Sequence, residues 1–336
     1  MRSFFTSPIY LSVTVDTECD KGPKWLIKRP LQFRAVTEGI PDVLEPLFRK
    51  HQVKATYLLS PEVIKDDACV SVLKDVSKGG AELGTHLHGE FIEPYMTEDT
   101  DATWAMQNTY PEETEYEKIR NLTLLFESKF GYKPTSFRAG RYGIGRKSLN
   151  MLAEQGYLVD SSVAPNCRWK DKGGEATFYG APVMPYYPNA NDPLMPGKLS
   201  ILEVPLTIGK TWWHYFPSAI VRTVNKYPRL WLYPLNRLNL IHHFTPIWLR
   251  PTWFTFEQMK DLILDCLKKA PHQGTVFVMM FHNVEVVPGC SPSIQDQDQL
   301  RIFMERMEGT FQFFNQLSAC FLTLSEIQHI YKKDVP

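Results

Sequence analysis

The sequence lacks the features that mark disulfide-bonded, membrane-spanning or exported chains. Its six cysteines include no C-x-x-C pair, which argues against a disulfide framework and favours reduced cysteines that pack in the interior. No run of 18 apolar residues is present, so no membrane-spanning helix is predicted. The N-terminus has no basic segment followed by an apolar core and a small-residue cleavage site. No signal peptide is predicted, and the expected location is cytoplasmic.

The sequence also has no excess of charge of either sign. It contains 37 Lys and Arg and 37 Asp and Glu residues, so its net charge of zero gives no indication of a nucleic-acid partner. Hydrophobic residues make up 43% and charged residues 22% of the 336 positions, as in globular proteins. No internal repeat is visible. We expect a single domain over residues 1–336 and make no prediction of its oligomeric state.

One segment lacks acidic residues altogether. Residues 204–256 contain no Asp or Glu, twelve aromatic residues and six basic ones. The basic residues are Lys210, Arg222, Lys226, Arg229, Arg237 and Arg250. We expect an aromatic and basic insertion at about 165–256 on the rim of the fold. Its aromatics either pack against the fold or form a rim for a glycan or lipid-linked substrate, with peripheral association at the inner face of the membrane through 204–256.

The rest of the chain alternates between strand-like and helical patterns. Strands are expected near residues 11–18, 53–59, 81–88, 135–138, 157–160, 200–206, 275–282 and 319–324. Helices are expected between them, including one over 61–77 and one over 112–130. This alternation indicates parallel βα units, and their number predicts an α/β fold of the closed or nearly closed barrel type. An open doubly wound sheet is the alternative.

Polar side chains follow the ends of five predicted strands. The run 11–18 ends in Asp16 and Glu18, which face the same way because side chains two apart on a strand share a face. In 84–90 the same spacing aligns His86, His88 and Glu90, which are suitable ligands for zinc or a similar ion. The three later strand ends carry Arg138, Asp160 and His282.

The order of these motifs resembles that of the polysaccharide deacetylases, the NodB-homology group or carbohydrate esterase family 4. D-x-E, G-T-H-L-H, F-R-A-G-R-Y, D-S-S and F-H-N match the five motifs of that family in sequence. The runs F-R-A-G-R-Y-G and F-H-N-V-E-V-V-P-G-C-S-P are most similar to the WalW subgroup, which is associated with lipopolysaccharide and O-antigen biosynthesis. The resemblance covers about residues 9–325, and 165–256 match poorly.

The resemblance implies a distorted (β/α)7–8 barrel of the NodB type and a role for each matching residue. Asp16 takes the position of the general base and Glu18 that of the metal carboxylate. His86 takes the position of a metal histidine, and Arg138 that of the arginine that orients the base. The resemblance further implies that Asp160 is the partner of the acid and that His282 is the general acid.

Two positions depart from the family pattern. Thr17 separates Asp16 from Glu18, where the family has adjacent aspartates. Four residues after His86 the family has a second histidine, whereas this chain has Glu90. Either His88 or Glu90 therefore completes the metal site. We favour Glu18, His86 and His88 with zinc as the expected ion, since a Glu-His-Glu set would suit zinc less exclusively.

The resemblance implies a metal-dependent hydrolase that removes an acetyl group from an N-acetylated or O-acetylated sugar, as a free sugar or as a lipid-linked glycan. Two alternatives remain open from the sequence. One is hydrolysis of a non-peptide C–N bond in a substrate that is not a sugar. The other is a glycan-binding barrel without catalysis, suggested by the altered second motif.

Overall fold

The computed structural model describes residues 7–97, 105–171, 174–209, 211, 220, 223–224, 227–237, 245–268 and 274–331. Of the six basic residues of the 204–256 segment, positions 210, 222 and 226 lie outside this part of the chain, and so does the side chain at 229. Within the described residues, no helix is both long enough and apolar enough to cross a bilayer.

A mostly parallel sheet, curled into a half-barrel, is the centre of the fold. The strands of the chain are β1 Ile9–Thr17, β2 Ala55–Leu59, β3 Glu82–Leu87, β4 Ser136–Ala139, β5 Val159–Asp160, β6 Arg168–Asp171, β7 Gly174–Thr177, β8 Pro188–Asn189, β9 Asp192–Pro196, β10 Leu202–Glu203, β11 Thr275–His282 and β12 Cys320–Phe321. The order in the main sheet is β10-β5-β4-β3-β2-β1-β11, and β12 also pairs with β1. The expected α/β architecture with parallel strands is therefore confirmed.

Helices connect and cover these strands. The α-helices are α1 Glu45–His51, α2 Pro61–Lys65, α3 Asp67–Lys78, α4 Glu112–Phe130, α5 Ser148–Gln155, α6 Pro228–Arg237, α7 Phe256–Lys268, α8 Gln297–Gln316 and α9 Leu324–Tyr331. A π-helix, Ala35–Leu44, precedes α1. The single helix predicted over 61–77 is two helices, because Asp66 adopts extended backbone and its side chain caps α3 by accepting from the Cys69 N–H.

The central strands are buried on both faces, as their apolar composition requires. Every residue of β2 is buried, and so are seven of the eight residues of β11. Strands β3 and β4 pack closely at Gly84, where a Cβ atom would lie 2.5 Å from the Ser136 carbonyl oxygen. Only glycine allows this approach, which brings the ends of β3 and β4 together.

The region at about 165–256 contains both peripheral hairpins and part of the main sheet. The hairpins β6–β7 and β8–β9 lie apart from the main sheet, but β10 is an edge strand of that sheet. Beyond β10, the Thr207 N–H donates to the Val278 carbonyl oxygen, and the Met280 N–H donates to the Leu249 carbonyl oxygen. Residues near 207 and 249 thus join the β10 edge to β11.

Candidate active site

Asp16 and His282 lie side by side at the ends of neighbouring strands. They are Cα partners in the parallel pairing of β1 with β11, and the His282 Nε2 atom is 4.0 Å from the Asp16 Oδ2 atom. Because both strands run in the same direction, the register delivers an acid and an imidazole to the same edge of the sheet. Asp16 is buried, and the His282 side chain is 15% exposed.

Arg138, at the end of β4, holds the other oxygen of Asp16. Its Nη1 donates to the Asp16 Oδ1 atom at 2.6 Å, while its Nε and Nη2 donate to the carbonyl and hydroxyl oxygens of Ser161. Burial raises the pKa of Asp16, but the charge and hydrogen bond of Arg138, together with the nearby imidazoles, outweigh it and lower the pKa below its usual value. Asp16 is therefore an ionised carboxylate with one oxygen fixed and one facing His282.

Glu18, His86 and His88 form a buried group whose ligand atoms converge. The Nε2 atoms of the two histidines are 3.1 Å apart, and they lie 3.4 Å and 3.2 Å from the Glu18 Oε1 atom. Zinc held by tetrahedral ligands at about 2.1 Å separates those ligands by about 3.4 Å. The spacing of the three atoms fits such an ion.

The hydrogen bonds of the two rings leave both Nε2 atoms as acceptors. The His86 Nδ1 donates to the Arg138 carbonyl oxygen at 3.0 Å, and the His88 Nδ1 donates to the Glu90 Oε1 atom at 3.4 Å. Each neutral ring therefore turns a lone pair toward the other and toward a carboxylate oxygen. Three converging acceptors form a group that could hold a cation, and the donor set suits a divalent metal such as zinc.

Without a bound metal ion, the His88 ring would hold an additional proton. Burial lowers the pKa of this ring, but the carboxylates of Glu18 and Glu90 outweigh burial and raise it to about 9. A metal ion would take the place of that proton, as metal binding to histidine commonly does.

Glu90 faces away from the convergent group. Its carboxylate pairs with the Arg141 guanidinium at 2.5 Å and accepts from the Nδ1 side of His88. Gly140 makes this arrangement possible, because a Cβ atom there would overlap the Leu87 carbonyl oxygen and lie 3.1 Å from the His88 ring. Glu90 thus supports His88 rather than joining the three ligand atoms.

Two residues that the sequence analysis did not assign hold Glu18 in place. The Lys21 Nζ atom pairs with the Glu18 Oε2 atom at 3.0 Å, and both side chains are buried. The side chain of Asn283 accepts from the Glu18 backbone N–H and donates to the Glu18 carbonyl oxygen. Asn283 belongs to the F-H-N motif. The motif therefore marks this position in the sequence, but it does not indicate that the side chain holds the Glu18 backbone.

Asp160 does not have the contact with His282 that the resemblance implies. Its carboxylate accepts from the N–H and hydroxyl of Ser162, and in the described chain no ion pair joins it to His282. The carboxylate nearest the His282 Nδ1 atom is Glu285, at 3.9 Å, and the Arg250 Nη2 atom lies 3.2 Å from the same nitrogen. The Asp160 carboxyl group lies instead beside Glu203, its Cα partner on β10.

A cavity of about 340 Å³ opens above these residues. Asp16, Glu18, His86, His88 and His282 line its floor. Its walls include four aromatic rings and three further cations, Trp25, Tyr142, Trp169, Trp253, Arg141, Lys170 and Arg250. Aromatic walls around convergent polar groups are typical of ligand sites. Most of the walls come from loops and from residues 165–256, which the sequence motifs do not cover.

Neither family models nor curated proteins match this sequence. Solved structures match its fold along nearly the whole chain. A Pseudomonas aeruginosa PAO1 protein described as a polysaccharide deacetylase has a TM-score of 0.55 and 14% identity, with 98% of this chain and 92% of that chain covered. A Mycobacterium smegmatis protein with the same description has a TM-score of 0.50 and 14% identity, with 100% and 97% covered.

The PuuE allantoinase has a TM-score of 0.53 and 15% identity, with 98% of this chain and 91% of that chain covered. At these identities the likeness is one of fold. It confirms the predicted NodB-like (β/α) barrel.

Proposed function

We propose that this protein is a metal-dependent hydrolase that removes an acetyl group from an N-acetylated or O-acetylated sugar. The observation that carries the proposal is the group of three convergent acceptor atoms, Glu18 Oε1, His86 Nε2 and His88 Nε2, beside the Asp16–His282 pair in one aromatic cavity. The shared fold with proteins described as polysaccharide deacetylases supports it.

The residues of the site divide the chemistry among them. A divalent ion held by Glu18, His86 and His88 would polarise a carbonyl group and lower the pKa of a water. Asp16, kept ionised by Arg138, accepts the proton of the attacking water. The Nε2 atom of His282 faces the same side of the cavity floor as Asp16 and donates a hydrogen bond to the leaving nitrogen or oxygen. The aromatic walls exclude water and offer flat faces to a sugar ring.

We propose that the sugar belongs to a surface glycan or to its lipid-linked precursor, in lipopolysaccharide or O-antigen biosynthesis. The resemblance of F-H-N-V-E-V-V-P-G-C-S-P to the WalW subgroup and the acid-free segment 204–256 support this substrate class.

The described part of 204–256 favours contact with a membrane surface. In and beside α6, three large side chains are mostly exposed: Tyr227 by 62%, Leu230 by 76% and Tyr233 by 72%. Arg237 is exposed at the end of the same helix. Exposed aromatic and aliphatic side chains next to a basic one are typical of peripheral membrane helices.

The proposal is tested by elemental analysis of the purified protein combined with acetate release from a panel of N-acetyl and O-acetyl sugars. We expect one divalent ion per chain and acetate release that stops in a His86→Ala variant, which loses a ligand. Binding of sugars without metal or acetate would favour the glycan-binding barrel. Metal binding with turnover only of amides or cyclic ureides would favour a non-sugar C–N hydrolase, whose fold is shared with an allantoinase.

A further inference from the structure

The Nδ1 atom of the His282 ring faces the guanidinium of Arg250. The Arg250 Nη2 atom lies 3.2 Å from the His282 Nδ1 atom. The backbone N–H of His282 donates to the Glu285 carboxylate at 3.0 Å, which places Glu285 beside the ring. A guanidinium can only donate, so Nδ1 of the ring must be an acceptor.

Arg250 is held firmly in this position. Only 2% of the residue is exposed, and its guanidinium carbon lies 3.7 Å from the centre of the Trp253 ring, a distance typical of a cation–π contact. Its Nη2 atom is 3.5 Å from the Glu285 Oε1 atom, and the Glu285 Oε2 atom accepts from the Thr252 hydroxyl at 2.7 Å. Stacking and ion pairing therefore aim the guanidinium at the imidazole.

The tautomer of His282 follows from these contacts. If Nδ1 accepts, the ring proton is on Nε2, which faces the Asp16 Oδ2 atom at 4.0 Å and the Glu18 Oε1 atom at 3.8 Å. A doubly protonated ring would set an Nδ1–H against the N–H groups of Arg250. We propose that Arg250 is a positioning residue that fixes the tautomer of His282, with Nδ1 as an acceptor and the Nε2–H directed at the reacting group.

This proposal rests on the proposed function for its chemical consequence. Attack by water forms the new C–O bond, and the water proton passes to Asp16. Collapse of the tetrahedral adduct breaks the C–N bond, and the electron pair remains on nitrogen. As this bond breaks, the nitrogen takes the proton from Asp16 and leaves as a neutral amine, while His282 keeps its own proton and stabilises the departing group by a hydrogen bond. A neutral imidazole can act in this way as a hydrogen-bond donor.

The tautomer is measured directly by a long-range ¹H–¹⁵N spectrum of ¹⁵N-histidine-labelled, zinc-loaded protein at pH 8, with His282 assigned from a His282→Gln sample. We expect a protonated Nε2 and an unprotonated Nδ1. In Arg250→Met, Nδ1 faces the Glu285 carboxylate without a competing cation, so we expect Nδ1 to become protonated. A wild-type Nδ1–H, or a ring unchanged in Arg250→Met, would overturn the proposal.

A matched control separates the contact with the ring from the position of the segment. Arg306 donates to the carbonyl oxygens of Pro251 and Thr252 and holds the same segment without touching His282. Arg306→Met should leave the His282 resonances unchanged, and a change equal to that in Arg250→Met would count against the proposal.

Kinetics give the second measurement. We expect Arg250→Met to lower kcat about 10–100-fold with KM within about threefold, and Arg250→Lys, which keeps a cationic donor, to recover part of the loss. Arg250→Lys also serves for the spectrum if the methionine variant does not fold. If the wild type releases no acetate, the proposed function fails, while the spectrum still decides the tautomer.

Discussion

The sequence leaves open whether His88 or Glu90 completes the metal site. In the structure the two side chains face different groups. We expect His88→Ala to abolish tight metal binding, because its Nε2 atom lies 3.1 Å and 3.2 Å from the other two ligand atoms. Glu90→Ala should weaken binding by only about 10–100-fold, the usual effect of a group that supports a ligand. Zinc titration of both variants against a competing chelator measures this. The reverse ranking would give the ligand role to Glu90.

Asp16 is expected to act on the reaction without holding the ion. We expect Asp16→Asn to keep its metal and to lose kcat by about 10² or more, because the amide cannot take a proton from water. Metal analysis and acetate release measure both quantities in one sample. Loss of the ion in Asp16→Asn would mean that Asp16, not Glu18, is the metal carboxylate.

The same substitution has a stability consequence. It leaves the fully buried Arg138 without a counter-charge, which costs about 3 kcal/mol of unfolding free energy, the lower end for a broken buried ion pair. Asp75→Asn is the matched control, since Asp75 pairs with Lys78 on the surface. It should change the unfolding free energy by less than about 1 kcal/mol.

At the scale of elements, strands β5 and β10 carry a buried pair of carboxyl groups. Asp160 and Glu203 are Cα partners, and neither is exposed. Burial and the charge of Asp160 raise the pKa of Glu203 well above its usual value, and burial also raises the pKa of Asp160. The two carboxyl groups are hydrogen-bonded to each other, which requires that one of them keeps a proton.

A shared proton makes folding sensitive to pH in a defined direction. Carboxyl groups with raised pKa values bind more protons in the folded state, so their stabilising contribution is full below the ordinary carboxyl pKa of about 4 and is lost as pH rises through the raised pKa. We expect the unfolding free energy of the wild type to fall as the pH rises above about 4, by up to about 1.4 kcal/mol per pH unit.

Glu203→Gln removes the ionisable group and should flatten this decline. Urea unfolding at a series of pH values measures the difference between the two proteins. Glu305→Gln, at an exposed position, should keep the wild-type slope. Equal slopes in Glu203→Gln and the wild type would show that the pair does not retain a proton.

The strands and their polar ends could be predicted from the sequence because each depends on a local pattern. Asp16, Glu18, His86, Arg138 and His282 each follow a short apolar run, and the parallel fold brings such strand ends together. Other contacts depend on the full three-dimensional path of the chain. Arg250 reaches His282 only because the chain near residue 249 pairs with β11, which no local pattern shows. Apolar residues at helical spacing from Ile40 to Phe48 predict a helix there, but they do not show that Ala35–Leu44, which contains Pro41, is a π-helix.

At the scale of the whole molecule, the exposed face of α6 predicts behaviour at a lipid surface. We expect the protein to float with anionic vesicles at low salt and less at high salt. Insertion of Leu230 and Tyr233 should contribute about 3–5 kcal/mol, and Arg237 about 1 kcal/mol of salt-sensitive attraction. A Leu230→Ser/Tyr233→Ser variant should lose flotation.

The control for this experiment replaces the same two residue types elsewhere on the surface. Leu124 is 49% and Tyr95 is 56% exposed, so Leu124→Ser/Tyr95→Ser removes comparable apolar surface outside the 204–256 segment. This variant should float like the wild type. If the wild type does not float with the vesicles at low salt, the membrane proposal fails. The remaining role of the 204–256 segment is then to form part of the cavity wall.

The order of the strands along the chain also sets the order in which the residues of the site are synthesised. The strands that carry Glu18, His86 and His88 come from the first ninety residues, whereas β11, which pairs with β1 and brings His282, comes much later. At a synthesis rate of about 5–20 residues per second, roughly 10–40 s separate the two on the ribosome. On the proposed function, a nascent chain therefore has Glu18, His86 and His88 long before it has His282, so an ion would have a site before the proposed reaction is possible.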